Sequence, residues 1–122
     1  MKAIKYLVLM TAVFACAVAV NMHRFGYNLN DGFWRTLMFP FEGTVWAPRF
    51  TEDNFNKIKQ GMSASSVREI LGEPLRQDSE CSEICFWYYT GQDTGTADFD
   101  QRWIVFNNAN QVMEIRKSFF ID

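Results

Sequence analysis

One histidine in 122 residues, His23, leaves almost no room for the acid–base chemistry that most enzymes run on. It has no serine or cysteine partner in a recognisable triad, and the chain contains no glycine-rich phosphate loop. A zinc site is equally poorly supplied. The three cysteines are Cys16, Cys81 and Cys85, and the pair in CSEIC would need two further ligands that the sequence does not hold nearby. The acidic stretch DTGTADFD (93–100) lacks the ligand spacing and closing glutamate of a calcium loop. A sequence pI near 5.4 gives no reason to expect nucleic acid. No catalytic residue, metal or cofactor follows from these residues, and a non-enzymatic protein is expected.

Charge is missing altogether between Tyr6 and Val20, and that gap is the most informative absence. Lys2 and Lys5 precede an apolar run of 15 residues, roughly 22 Å as helix at ~1.5 Å per residue. Residues 1–22 therefore read as a signal peptide or membrane anchor, with the lysines holding the N-terminus in the cytoplasm. Three fates fit. Cleavage could follow Ala17-Val18-Ala19; Cys16, after Ala15, could be lipidated; or the segment stays as an anchor. Phe14 and the apolar AVAV suit a lipoprotein start poorly, and the uncleaved anchor is the reading adopted.

Beyond it the charge divides. Residues 1–50 sum to +3 and residues 51–122 to −5. Residues 23–50 form an aromatic-rich juxtamembrane segment, in which Asp31 is expected to cap a short helix carrying Phe33, Trp34, Leu37 and Met38 that stops before Pro40. Either it lies on the membrane surface or its rings pad the folded domain. Export also favours a disulfide between Cys81 and Cys85, four residues apart.

The folded domain is expected over residues 51–122. Thr51 caps a helix with Phe55, Ile58 and Met62 on one stripe, ended by Gly61. Ser63 caps a second, with Val67, Ile70 and Leu71 recurring, closed by Gly72 and Pro74. Such short helices are marginal alone. Residues 75–79, 84–90, 102–107 and 112–119 read as strands, the last two joined by a turn at Asn108-Ala109-Asn110. The expected fold is α+β: two short helices packed on one face of a three- to four-stranded antiparallel sheet, behind an N-terminal membrane or signal helix. Ile104, Phe106 and Ile115 should face the helices, while Glu114 and Arg116 face water beside Trp103 and Val105. Strand 84–90 is aromatic on both sides, Phe86 and Tyr88 against Cys85, Trp87 and Tyr89. Trp87, Tyr89, Trp103 and Val105 are expected to form a partner surface on the helix-free side.

Phe55-x-x-Ile58-x-x-Gly61-Met62-Ser63-x-x-x-Val67-x-x-x-Leu71-Gly72-x-Pro74, then Trp87-x-Tyr89 and Val105-Phe106 before Val112, resemble the SmpA/OmlA (BamE-like) domain of bacterial envelope proteins. The resemblance covers about residues 54–116. It implies a scaffold in the bacterial envelope that binds a protein partner and supports outer-membrane integrity or assembly, membrane-anchored with the domain in the periplasm. Residues 21–50 and the CSEIC insertion have no counterpart in that pattern. A secreted inhibitor-like or ligand-binding module is the alternative.

Overall fold

Strand alternation organises the domain. The computed structural model describes residues 1–95 and 98–121. Ten elements run in chain order: α1 (Lys2–Phe25), α2 (Leu29–Met38), β1 (Thr44–Trp46), α3 (Glu52–Phe55), α4 (Ala64–Leu71), β2 (Arg76–Gln77), β3 (Ile84–Tyr88), β4 (Thr90–Gln92), β5 (Phe99–Asn107) and β6 (Val112–Phe120). The sheet has the antiparallel order β2-β3-β5-β6, and the expected α+β layering is found.

The two short helices start where their caps require. The Thr51 hydroxyl accepts from Asn54 N–H, and Ser63 does the same for Ser66 N–H. The first helix is shorter than its apolar stripe suggests. It ends at Phe55, and Ile58 reaches the core from a turn. Gly61, at φ 86, lets the chain reverse so that Met62 pairs with the start of β6: Gly61 N–H donates to Val112 O, and Val112 N–H to Met62 O, each at 2.8 Å. Phe55, Ile58, Val67 and Leu71 then close over Cys85, Trp87, Tyr89, Ile104 and Phe106. The Tyr89 hydroxyl donates to Gly72 O at 2.9 Å, which ties the end of α4 to the sheet.

Residues 23–50 are partly built into this layer. The outer edge of the β3–β4 strand is shared between two short partners. β2 pairs with Tyr88 and Trp87, and β1 pairs with Thr90–Gln92 as a two-stranded sheet. Ala47 is a core residue and Phe50 packs beside it. Asn28, not Asp31, caps α2: its side chain accepts from Asp31 N–H, and Asp31 sits in the first turn. The helix therefore starts about one turn earlier than expected, and Gly32 in it lies against α1. A Cβ there would stand 2.5 Å from Met22 Cγ.

The helix-facing side of β5 reads Asp100, Arg102, Ile104, Phe106, so it passes from ionic to apolar along its length. The apolar half lies under α3 and α4. The ionic half meets the N-terminal helices. Asp100, fully buried, accepts from Tyr27 Oη and from Arg35 Nε, at 2.9 Å for the latter. Arg102, also fully buried, donates from Nη1 to Tyr27 Oη at 2.7 Å and from Nε to Glu52 at 3.0 Å. Its Nη2 lies 2.9 Å from Glu52 Oε1 but is poorly aligned, so that contact is Coulombic rather than a full hydrogen bond. Lys117 reaches the same carboxylate at 2.9 Å, and Arg35 Nη1 reaches Asn21 of α1 at 3.0 Å. The Arg35 guanidinium also stacks 4.0 Å over the Phe25 ring.

Burial, partly offset by Arg102 and reinforced by Asp100, raises the Tyr27 phenol well above its ordinary value of 10.0. Burial raises Tyr89 likewise. Both phenols therefore ionise in the unfolded chain at lower pH than in the fold, so stability is intact below pH 10.0 and falls above it. In an alkaline titration followed by tyrosinate absorbance, Tyr27 and Tyr89 should ionise only as the fold opens, and Tyr89→Phe should weaken that alkaline loss. Asp100→Ala removes the carboxylate that pairs with buried Arg35 and accepts from Tyr27, and should cost about 3–5 kcal/mol in urea unfolding of the full chain in detergent. Leu71→Ala, which removes an apolar core group alone, should cost about 2–5 kcal/mol.

Candidate functional site

With every helix meeting the sheet from one side, the opposite face is left open. One row in register crosses all four strands there: Arg76, Tyr88, Trp103 and Arg116. Arg76 stacks 4.3 Å over the Tyr88 ring, and Tyr88 meets Trp103 edge-on at 4.8 Å. The neighbouring row holds Phe86, Val105 and Glu114. Phe86 lies 6.0 Å from Tyr88, and Arg116 stacks 5.0 Å over it while pairing with Glu114 at 2.8 Å. The result is a half-exposed aromatic floor with a guanidinium at each end. Aromatic rings and arginine are the side chains that anchor protein interfaces most often.

Beside this floor runs a cleft of about 390 Å³ between Leu75, Arg76, Tyr88 and Trp103 on one side and Gly91, Gln92 and Phe99 on the other. Leu75 is 40% exposed at its rim. Trp103 Nε1 is shut off from solvent and has no hydrogen-bond acceptor among the described residues. Tyr88 donates to Asp78 Oδ1 at 3.3 Å, and burial followed by the Asp78 charge raises its phenol pKa.

Two of the four residues expected on the partner surface are elsewhere. Trp87 and Tyr89 belong to the helix-covered core, where Trp87 packs 4.5 Å from Phe106 and beneath the Arg68 guanidinium at 4.6 Å. The cause is parity. Cys85, Trp87 and Tyr89 share the side of Ile104 and Phe106, so Phe86 and Tyr88 take the open side instead. Trp103 is on the open face, and Val105 is on it too but only 1% exposed. Phe86 and Tyr88 follow from the core position of Ile104 once the register that pairs it with Trp87 is known.

The other expected features are placed as follows. Cys81 and Cys85 are joined as a disulfide, with Cα atoms 5.2 Å apart, at the exposed start of β3. Cys16 is exposed midway along α1. α1 itself is long and apolar enough to cross a membrane. In the acidic stretch 93–100, Thr96 and Ala97 lie outside the described residues, while Asp98 and Asp100 are buried rather than solvated.

No curated protein matches the chain. The family model described as the outer membrane protein assembly factor BamE domain matches residues 49–116, from the residue before Phe50 to the row of the open face that ends at Arg116. That match covers more than half of the 122 residues, and the chain belongs to the BamE domain family.

Proposed function

We propose that this chain is a membrane-tethered envelope protein that holds a protein partner on the open face of its BamE domain and serves outer-membrane assembly without catalysing a reaction. The observation that carries the reading is the Arg76–Tyr88–Trp103–Arg116 row, which is organised and half-exposed although all the helices lie on the other side of the sheet. The family supplies the setting, since it is one of outer-membrane assembly factors. The cleft beside that row supplies a place for part of a partner.

The tether reading rests on how α1 is packed. Cleavage after Ala19 would remove Val18, which is buried, and Phe14, whose ring meets Phe33 edge-on at 5.6 Å. Retaining the helix keeps both contacts. The helix is continuous from Lys2 to Phe25, and its cytoplasmic lysines and crossing length suit an anchor with the domain in the periplasm. Acylation at Cys16 would require a cut before that residue and would discard half of the same helix.

A photo-crosslinker at position 103 or 76 should capture an envelope partner in intact cells, and one at Glu69, on the exposed side of α4, should not. Trp103→Ala should weaken the isolated complex by about 2 kcal/mol or more, roughly thirtyfold in Kd. Capture from position 69 alone would refute the open-face reading. Mass spectrometry of the membrane-extracted protein should find Met1 and no acyl group; a mass beginning at Val20 or at an acylated Cys16 would refute the anchor.

A further inference from the structure

The cap, the Gly32 contact and the buried Arg35 fix which side of α2 faces inward, and the remaining side is apolar without a protein cover. Leu29, Phe33 and Leu37 recur every fourth residue and are 66%, 39% and 45% exposed. Trp34 stands beside them, and Phe39 and Phe41 continue the surface past the helix end, each about two-thirds exposed. Such a patch calls for a partner.

Its position says which one. Leu29 and Phe33 do not form an isolated patch; with Phe14, Ala15, Val18 and Met22 of α1 they line one apolar cleft of about 360 Å³. The exposed side of α2 is thus continuous with the exposed side of the membrane-crossing helix. α2 meets α1 at Val18 and Met22, through Gly32. Val18 is two residues before the end of the charge-free run, or roughly 3 Å along the axis at ~1.5 Å per residue. Whatever surrounds the last turn of that run also surrounds the outer side of α2. His23 and Arg24 follow in the last turn of α1.

We infer that α2 lies in the periplasmic interface of the bilayer, with Leu29, Phe33 and Leu37 in the acyl-chain boundary and Trp34 at headgroup level. This deepens the reading of α1 as a retained anchor. Helices with one apolar and one polar side lie in the plane of the interface in this way, and tryptophan prefers that depth. α2 carries only Asp31 and the internally paired Arg35, so its hold on the membrane comes from apolar area and not from attraction to anionic lipid. Arg35 and Tyr27 bind Asp100 on the other side, so the domain cannot swing away without breaking buried ionic contacts. The bilayer contact therefore sets the orientation of the sheet as well.

The test uses the full chain in phosphatidylethanolamine–phosphatidylglycerol vesicles containing phosphatidylcholine brominated either near the headgroup end or near the methyl end of the acyl chains. Subtracting the signal of Trp34→Phe isolates Trp34 from the other three tryptophans. The Trp34 component should be quenched roughly twofold more by the shallow bromines than by the deep ones, as headgroup-level placement requires. It should be protected from aqueous iodide, and Leu37→Glu should reverse both results while the unfolding midpoint stays near that of the unsubstituted chain. A Trp34 component that iodide quenches and neither bromolipid does would overturn the inference. So would a photo-crosslinker at position 37 that joins two copies of the chain in place of lipid. Neither outcome bears on partner capture at position 103 or on the mass of the mature N-terminus, so failure here is separable from failure of the anchor or the open face.

Discussion

The Asp100 carboxylate is the joint on which the arrangement depends. It is fully buried, which an isolated charge could not be, and it remains so because Tyr27, Arg35 and the neighbouring Arg102–Glu52–Lys117 cluster surround it. Its own backbone N–H donates to the Thr44 hydroxyl at 2.9 Å, which draws β1 into the same point. One residue thereby holds the turn after α1, the middle of α2, the start of β1 and the start of β5. A hydrophobic contact of similar size could hold these elements together, but it would not fix their angles. Directional bonds to a planar guanidinium do. Buried charge is weak evidence for stability; here its clearer consequence is geometric, because α1 and α2, joined to the sheet through Asp100 and its partners, are not free to pivot.

The two faces of the sheet follow from a period of two. Once Ile104 and Phe106 are assigned to the core, Trp103 and Val105 must face away, and antiparallel register carries the same division into β3 and β6. The caps at Thr51 and Ser63, the second short helix and the hairpin near Asn110 were legible because each is decided within a few residues. The first helix, read as running to Gly61, instead stops at Phe55, and Gly61 serves the reversal toward β6. The side chosen for Trp87 and Tyr89 was legible too, but only through the cross-strand pair Trp87–Ile104. Read along strand 84–90 alone, both sides are equally aromatic and nothing breaks the tie.

What could not be read locally is what joins distant segments. Tyr27 and Asp100 are 73 residues apart, and Arg102 and Glu52 are 50 apart. In sequence Asp100 ends a polar, acidic stretch that resembles a solvated loop, and Arg102 looks like any strand arginine. The pattern Asp100, Arg102, Ile104, Phe106 does alternate, and a charge pair placed on the core side of a strand is unusual enough to signal a buried network. β1 was hidden for a different reason. Three residues, Thr44–Trp46, form a strand only because β4 offers an unpaired edge beyond the reach of β2.

With α1 read as a retained anchor, these features make the aromatic segment the coupling between membrane and domain. The inward side of α2 carries Gly32 for close approach to α1 and Arg35 for the bond to Asp100; its outward side carries Leu29, Phe33 and Leu37. A flexible tether would let the domain sample many tilts, and a partner on the open face would have to bear the entropy of selecting one. A fixed tilt removes that cost before the partner arrives. On that reading the open face can be small, a single row of four residues across four strands, because Asp100 would already set its direction relative to the bilayer.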